Sequence, residues 1–346
     1  MSPAVSSPAV SVIIPARDAA PTLSGTLTAL RAQDFAAPFE VIVVDDGSRD
    51  QTAALAKRFE PLVRLIRTER SEGPGAARNR GVSAARAEVL AFTDADCFPT
   101  RRWLAEGVDA IARSELVQGR VEPDPAATRT PFDRTLAVER DGGFYQTANL
   151  FVRRETFEAV GGFRDWSLEQ PGRRRWSIDR RRNRATRTPI GEDTLFAWSA
   201  SKRGARSAFA PDALVYHAVV PGGVRDAIAD RWHWTRDMPG LARLVPELRE
   251  GTFYGRWFFG EWTAQFDLAV LAVAAAGLSR RKLWLVLTVP YLDRVRREAS
   301  IYRDGRGSRL YGLRRAATHA LGAPAVDAAT LAGLIVGSIG WRSLVL

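Results

Sequence analysis

The stretch Glu88-Val89-Leu90-Ala91-Phe92-Thr93-Asp94-Ala95-Asp96-Cys97 decides the fold and places the candidate site. It has the pattern of a buried strand that ends abruptly in two carboxylates, and open α/β sheets bind their ligands at strand ends. Asp94 and Asp96 point the same way in extended chain, so they can share one hard cation such as Mg²⁺ or Mn²⁺. The alternative is a turn or helix cap without a ligand.

Short apolar runs alternate with helix-like segments before this stretch. The helix-like segments place leucines at helical spacing, as in Leu23, Leu27 and Leu30. Such alternation predicts a parallel sheet with helices on both faces. The predicted strands are 10–15, 39–44, 62–66 and 88–92, and the predicted helices are 19–33, 50–59 and 75–85.

Polar residues follow three of these strands. They are Pro15-Ala16-Arg17-Asp18, Asp45-Asp46-Gly47-Ser48 and Asp94-Ala95-Asp96. Because parallel strands end at one edge of a sheet, the three loops are expected to meet there, where carboxylates can bind the base or ribose of a nucleotide. Any one loop taken alone is better explained as a plain polar turn, but three together predict a nucleotide site.

A glycine-rich segment, Gly73-Pro74-Gly75-Ala76-Ala77-Arg78-Asn79-Arg80-Gly81, precedes the fourth strand. Gly75 lets the backbone approach a ligand closely, and the guanidinium of Arg78 can face phosphate. A helix start with solvated arginines explains the segment equally well.

Taken together, these strings resemble the family 2 glycosyltransferases of GT-A fold. Farther along, Asn149 with Arg153-Arg154 is similar to the acceptor-side segment of that family, and Gly191-Glu192-Asp193 is similar to its catalytic motif. The resemblance implies a Rossmann-like, mostly parallel α/β sheet. The sequence departs from the family pattern at two places. Ala19 stands where many members carry Glu, and residues 164–188 form an Arg-rich insertion.

The resemblance also implies roles for individual residues. The donor nucleotide would contact Pro15, Arg17, Asp18, Asp45, Asp46, Gly75, Arg78 and Asp94. Asp94 and Asp96 would bind Mn²⁺ or Mg²⁺, with His217 as a third ligand, although a histidine at the end of an apolar run is often a hydrogen-bonded surface residue. The acceptor side would include Asn149, Glu192, Arg231 and Trp232.

Transfer of a sugar from a nucleoside diphosphate requires two kinds of group. A bound divalent cation stabilises the diphosphate as it leaves. A carboxylate on the opposite side of the anomeric carbon accepts the proton of the attacking hydroxyl. Asp193 is the candidate base. The alternative is that Glu192 and Asp193 only favour a helix N-terminus through its dipole.

The composition is that of a folded protein with an anionic partner. The chain has 346 residues, 46% of them hydrophobic, and a formal charge of +11. No nucleic-acid reading module accompanies the charge, so nucleic acid is not expected as a partner.

Cys97 is the only cysteine, which excludes an internal disulfide and a Cys-based zinc site. Residues 1–9 lack a signal-peptide pattern, so the cytoplasm is the expected starting compartment.

The C-terminal part differs in composition. Arg231-Trp232 weakly resembles the motif that holds a growing chain in processive members, but Ile228 replaces its Gln, which favours single-sugar transfer. Apolar runs at 264–278 and 283–292 flank Arg280-Arg281-Lys282, and 326–346 is another apolar helix candidate. We expect helices in or on the cytoplasmic leaflet of the inner or plasma membrane. Packing on the catalytic domain is the alternative.

The sequence therefore predicts a disordered lead-in (1–9), a GT-A catalytic domain (10–222) and a helical, membrane-associating region (223–346). Within the catalytic domain, 10–97 bind the nucleotide and 98–222 form the acceptor side. The predicted function is metal-dependent, inverting transfer of one sugar from a nucleoside diphosphate-sugar to a lipid-linked or cell-envelope glycan acceptor. The alternatives are a catalytically silent scaffold of the same fold and a nucleotidyltransferase.

Overall fold

The computed structural model describes residues 7–166, 190–303 and 309–346, and the chain divides into two compact units. The sheet unit comprises Met1–Pro125 and Leu136–Ala218, and the helical unit comprises Ala126–Thr135 and Val219–Leu346. Most of the predicted Arg-rich insertion and residues 1–6 of the predicted lead-in lie outside the described residues. The domain boundary expected at residue 222 stays a prediction.

The first half of the sheet unit alternates strands and helices. Strand β1 pairs in parallel with β2 and β4, and β2 pairs in parallel with β3. Nearly every residue of β1 is buried, as expected for a strand covered on both faces. The elements are β1 (Val10–Ala16), α1 (Ala20–Arg31), β2 (Phe39–Asp45), α2 (Thr52–Lys57), β3 (Val63–Arg67), α3 (Pro74–Ala84) and β4 (Val89–Thr93).

The second half adds antiparallel strands. Its elements are β5 (Cys97–Pro99), α4 (Trp103–Ile111), β6 (Leu116–Pro123), β7 (Asn149–Arg153), α5 (Arg154–Val160), α6 (Glu192–Ser201) and β8 (Ser207–His217). The sheet order is β3-β2-β1-β4-β7-β6-β8-β5. Among the described strands, four of the seven pairings are parallel, and β7 runs antiparallel to both of its neighbours. The α/β fold class expected from the sequence is confirmed, with a mixed sheet.

Pairing of β5 with β8 positions the end of the Asp94–Asp96 loop. Cys97 lies opposite His217 in this antiparallel pair. The Ala218 N–H donates a hydrogen bond of 2.8 Å to the carbonyl of Asp96. The backbone therefore brings His217 beside Asp96, although 120 positions separate them in the chain.

Asn149, at the start of β7, is fully buried and joins three elements. Its Nδ2 donates to the carbonyls of Arg120 (2.8 Å) and Ala213 (2.7 Å), and its Oδ1 accepts from the Trp103 indole (2.8 Å). Gly119 makes room for this amide, because a Cβ there would lie 2.3 Å from Nδ2. Asn149 thus holds the sheet together, and its expected contact with an acceptor stays a prediction.

The helical unit contains two long apolar helices. By length and composition, α10 and α12 could each cross a membrane, among the residues that the structure describes. Pro324 lies inside α12. The elements are α7 (Val224–Thr235), α8 (Met238–Leu244), α9 (Leu248–Gly251), α10 (Glu261–Ser279), a 3-10 helix (Lys282–Thr288), α11 (Val289–Arg303) and α12 (Arg309–Trp341). This agrees with the predicted C-terminal helical region.

We predict that Asn149→Ala lowers the free energy of unfolding by about 2–4 kcal/mol, because it leaves buried backbone carbonyls and the Trp103 indole without partners. Urea denaturation followed by fluorescence measures the change. Arg113→Ala, an exposed position just after α4, is the control and should stay within about 0.5 kcal/mol of the parent. A loss at Asn149 no larger than the control would contradict the structural role.

Candidate active site

The loops after β1 and β2 form one wall of the candidate site. The Asp18 N–H donates to Ser48 Oγ (3.0 Å), and the Arg49 N–H donates to Asp18 Oδ1 (2.8 Å). The side chains of Arg17 and Asp18 remain 42% and 49% exposed, so both can reach a ligand. Pro15 is partly exposed at the end of β1. The convergence expected for these two loops is therefore present.

Asp45 and Asp46 are buried and hold the surrounding backbone. Asp45 Oδ1 accepts from the Ser48 N–H (2.9 Å), and its Oδ2 lies 3.1 Å from Arg67 Nε. Asp46 accepts from Ser71 Oγ (2.6 Å) and from the N–H groups of Glu72 and Gly73 (2.8 and 2.9 Å). These carboxylates fix the loops that precede α3. Direct contact of either with a nucleotide stays a prediction.

Arg78 connects Asp94, expected on the donor side, to Glu192 of the expected catalytic motif. Its Nη2 donates to Asp94 Oδ1 (2.8 Å) and its Nη1 donates to Glu192 Oε1 (3.1 Å). The Arg78 residue is only 5% exposed and its guanidinium contacts two protein carboxylates. Its expected contact with the donor phosphate stays a prediction. Gly75 lies beside this pairing, and a Cβ there would make an ordinary van der Waals contact of 3.4 Å with Glu192 Cγ.

Asp193 stands beside this ion pair, in the first turn of α6. Its Oδ1 accepts from the Thr194 N–H (2.8 Å) and its Oδ2 accepts from the Thr147 N–H (3.2 Å). Burial, and then the neighbouring negative charge of Glu192, raise the pKa of Asp193 to about 7, while Arg78 acts in the opposite direction. A carboxylate that titrates near neutral pH is suited to accept a proton from an acceptor hydroxyl.

Asp96 and His217 form the candidate metal centre. Asp96 Oδ2 lies 3.7 Å from His217 Nε2, and His217 Nδ1 lies 2.8 Å from the Ala218 carbonyl. A proton on Nδ1 would leave the Nε2 lone pair directed at Asp96. Two ligands about 2.1 Å from one octahedral ion stand about 3–4 Å apart, so the spacing fits a shared cation. Burial, and then the charge of Asp94, raise the pKa of Asp96, as expected where acids gather.

Cys97 lies beside the candidate metal centre, a position that the sequence analysis missed. One ligand atom from each of Asp96, Cys97 and His217 lies within 4.8 Å of the others. Burial, and then the charges of Asp94 and Asp96, raise the pKa of the thiol well above its usual range. A protonated thiol is a poor ligand for a hard cation, so the candidate donors within this cluster are the Asp96 carboxylate and the His217 imidazole.

Two further residues expected on the acceptor side lie in the helical unit. Arg231 and Trp232 belong to α7. The guanidinium carbon of Arg231 lies 5.0 Å from the centre of the Trp262 ring, a cation–π contact. Their contact with an acceptor stays a prediction.

Comparison with known proteins shows which family the sheet unit resembles. The sequence profile of the family described as "Glycosyl transferase family 2" matches residues 11–165. Glycosyltransferase AglE of Haloferax volcanii is 34% identical over 170 residues, which is 45% of this chain and 56% of that protein. Succinoglycan biosynthesis protein ExoO of Rhizobium meliloti is 33% identical over 136 residues, 39% of this chain and 35% of that protein. The chain thus spans about a third to a little over half of these relatives.

A solved structure supports the fold. The mannosyltransferase PcManGT from Pyrobaculum calidifontis superposes with a TM-score of 0.54 at 20% identity, and covers 98% of this chain and 88% of its own. At this identity the likeness establishes the fold alone. Together with the profile match, it confirms the family resemblance and the GT-A fold.

We predict that Arg78→Ala destabilises the protein by about 3–5 kcal/mol, because it leaves the Glu192 carboxylate buried without its counter-charge. Glu192→Gln is the matched variant. It keeps a hydrogen-bond acceptor for Arg78 and buries no unpaired anion, so its loss should be clearly smaller. Urea denaturation at pH 7.5 measures both. Equal losses would mean that the charge of Arg78 is not what the fold requires.

Proposed function

We propose that this chain, whose residues 11–165 match the glycosyl transferase family 2 profile, transfers one sugar from a nucleoside diphosphate-sugar to an acceptor hydroxyl with inversion at the anomeric carbon. The observation that supports the proposal is the ionic link Asp94–Arg78–Glu192, which joins the loop after β4 to the helix that carries the candidate base, Asp193. A single displacement needs the base and the leaving diphosphate on opposite sides of the anomeric carbon.

Asp193 acts as the general base. The acceptor oxygen forms the new bond to the anomeric carbon and its proton passes to the Asp193 carboxylate. The bond between that carbon and the diphosphate breaks, and its electron pair leaves with the diphosphate. The hydrogen bonds from Thr147 and Thr194 hold the carboxylate in place during the transfer, which favours a fixed direction of attack.

Asp94, Asp96 and His217 hold the divalent cation. When bound, the cation stabilises the negative charge that builds on the leaving diphosphate. Carboxylates suit both Mg²⁺ and Mn²⁺, whereas an imidazole ligand moves the preference toward a transition-metal ion, so we favour Mn²⁺. The mannosyltransferase from P. calidifontis, which shares the fold, was solved with GDP-Man and Mn²⁺, in agreement with this assignment.

The donor and acceptor are assigned only by class. Arg17 and Asp18, both half-exposed on the wall made by the first two loops, are the side chains offered to the donor nucleotide. A glycan acceptor accords with a relative named for succinoglycan biosynthesis. A lipid-linked acceptor accords with the apolar surface of the helical unit, and the protein would then act at the cytoplasmic face of the inner or plasma membrane.

We predict that Asp193→Asn keeps donor affinity but lowers kcat by at least about 100-fold, because the amide cannot accept the proton.

In the parent, kcat/KM should rise with pH through an apparent pKa near 7, because only the ionised carboxylate of Asp193 is active. The assay follows diphosphate release from a panel that includes GDP-mannose and UDP-GlcNAc, with Mn²⁺ and water as acceptor. Donor affinity is read from thermal shifts.

Asp109→Asn, an exposed change on α4, is the matched control and should retain both properties. Unchanged turnover in Asp193→Asn would assign the base elsewhere. Failure of every donor in the panel to stabilise the parent with Mn²⁺ present would favour a silent scaffold.

We predict that His217→Ala weakens Mn²⁺ binding by at least about tenfold, because it removes a nitrogen ligand. Asp96→Asn should weaken it as much or more. Electron paramagnetic resonance of free Mn²⁺ measures the affinity without any turnover, and Asp109→Asn again serves as control. If His217→Ala bound Mn²⁺ as tightly as the parent, His217 would be a hydrogen-bonded neighbour of Asp96 and not a ligand.

A further inference from the structure

The exposed large apolar side chains of the described residues all lie in the helical unit, between positions 254 and 344. Their densest group, here called the apolar strip, runs along the outer face of α10 and through the 3-10 helix. In it, Leu271, Leu278, Leu283 and Val286 are 66%, 90%, 80% and 60% exposed. Soluble surfaces rarely leave so continuous a patch uncovered, so the strip has a partner.

Cations and aromatic rings border the strip. Arg280, Arg281 and Lys282 are all exposed and join α10 to the 3-10 helix. Trp284, 45% exposed, follows them directly. Apolar side chains beside Trp and a group of cations are typical of a surface that enters the interface of a membrane with anionic lipids.

The distribution of charge indicates how deeply the strip enters. If α10 crossed the membrane, residues 280–308 would lie on the side opposite to the sheet unit. Residues 280–315 contain eleven Arg and Lys residues against three Asp and Glu residues. Lys and Arg near membrane helices are retained on the cytoplasmic side, where the proposed function places the sheet unit. The basic segment and the sheet unit therefore belong on the same side.

The polar side of α11 is occupied by ion pairs within the helical unit. Arg294 pairs with Asp327 of α12 (2.5 Å), and Glu298 pairs with His319 (3.1 Å). Charged groups that are satisfied inside the unit leave the strip as its apolar exterior. The strip along α10 and the 3-10 helix is thus the densest apolar part of the exterior of this unit, and α11 and α12 carry further exposed apolar side chains such as Ile301 and Leu321.

We propose that the apolar strip docks the helical unit onto an anionic membrane from one side, so that α10 and the 3-10 helix enter one leaflet and do not cross the bilayer. This deepens the proposed function, on whose cytoplasmic placement it rests, by naming the partner as an anionic lipid leaflet. A second copy of the chain is a poorer partner. A symmetric contact through the strip would bring two groups of three exposed cations together.

Single cysteines report the side of the membrane on which each segment lies. Cys97 is fully buried and is the only native cysteine, so the parent provides the unlabelled baseline. Arg297→Cys places a thiol on α11 at a side chain that is 70% exposed. Arg113→Cys, at a side chain that is 83% exposed just after α4, marks the sheet unit. Both are made in the full chain and expressed in a bacterial host.

We predict that a membrane-impermeant maleimide labels both variants in inverted vesicles and neither in intact spheroplasts. Labelling of Arg297→Cys from the opposite side to Arg113→Cys would show that α10 crosses the bilayer and would overturn the proposal. Because Arg113→Cys reports the sheet unit directly, the outcome does not depend on whether any sugar donor binds, and the failure of one proposal is distinguishable from that of the other.

Vesicle flotation tests the strip itself. We expect the purified chain to bind vesicles of phosphatidylcholine and phosphatidylglycerol at least tenfold more than vesicles of phosphatidylcholine alone. Leu283→Asp/Val286→Asp should lose at least tenfold of this binding. Thr28→Asp/Ala54→Asp adds the same charge at exposed positions of the sheet unit and should bind as the parent does. Equal binding by both double variants, or a dimer that ignores vesicles and dissociates on the strip substitutions, would overturn the proposal.

Discussion

The buried guanidinium of Arg78 is the charge on which the candidate site depends. It lies between Asp94, in the loop after β4, and Glu192, at the start of α6. A buried cation is tolerated only when carboxylates compensate it, and here the two carboxylates come from parts of the chain almost 100 positions apart. The pairing thus fixes the donor-side loop against the helix that carries Asp193. Neither segment holds its place without the other.

The pairing of Arg78 with Glu192 also explains why the adjacent acids Glu192 and Asp193 have different roles. Glu192 faces Arg78, which compensates its negative charge. Asp193 turns toward the backbone of Thr147, and burial beside that anion raises its pKa to about 7. Carboxylates whose surroundings separate their protonation are the usual means by which a site obtains a base near neutral pH. The division of roles follows from which acid the arginine contacts.

The sequence predicted the part of the sheet that local patterns encode. Predicted and observed bounds of β1 to β4 agree within one residue or so, because buried parallel strands are continuous apolar runs that end in polar loops. It did not predict the antiparallel β7 or the internal role of Asn149, since both depend on partners distant in the chain. Asp45 and Asp46 were expected at the site, but their backbone partners were not predicted. Asp45 accepts from the Ser48 N–H, and Asp46 accepts from the N–H groups of Glu72 and Gly73 in the loop preceding α3.

In the C-terminal part, composition located the apolar segments but not their geometry. The run at 283–292 was expected as one segment, and the chain instead forms a 3-10 helix that gives way to α11 at Val289. Pro290 lies in the first turn of α11, where a missing N–H is tolerated, so the α-helix begins anew there. Hydropathy alone does not distinguish a side chain that faces lipid from one that faces protein. The exposed fraction of each side chain does distinguish them. Leu283 is 80% exposed, whereas Tyr291, eight positions later, is buried against Phe266. The break at Val289 therefore separates a segment with no buried side chain from a helix that packs one face, with Tyr291 and Val295, against α10.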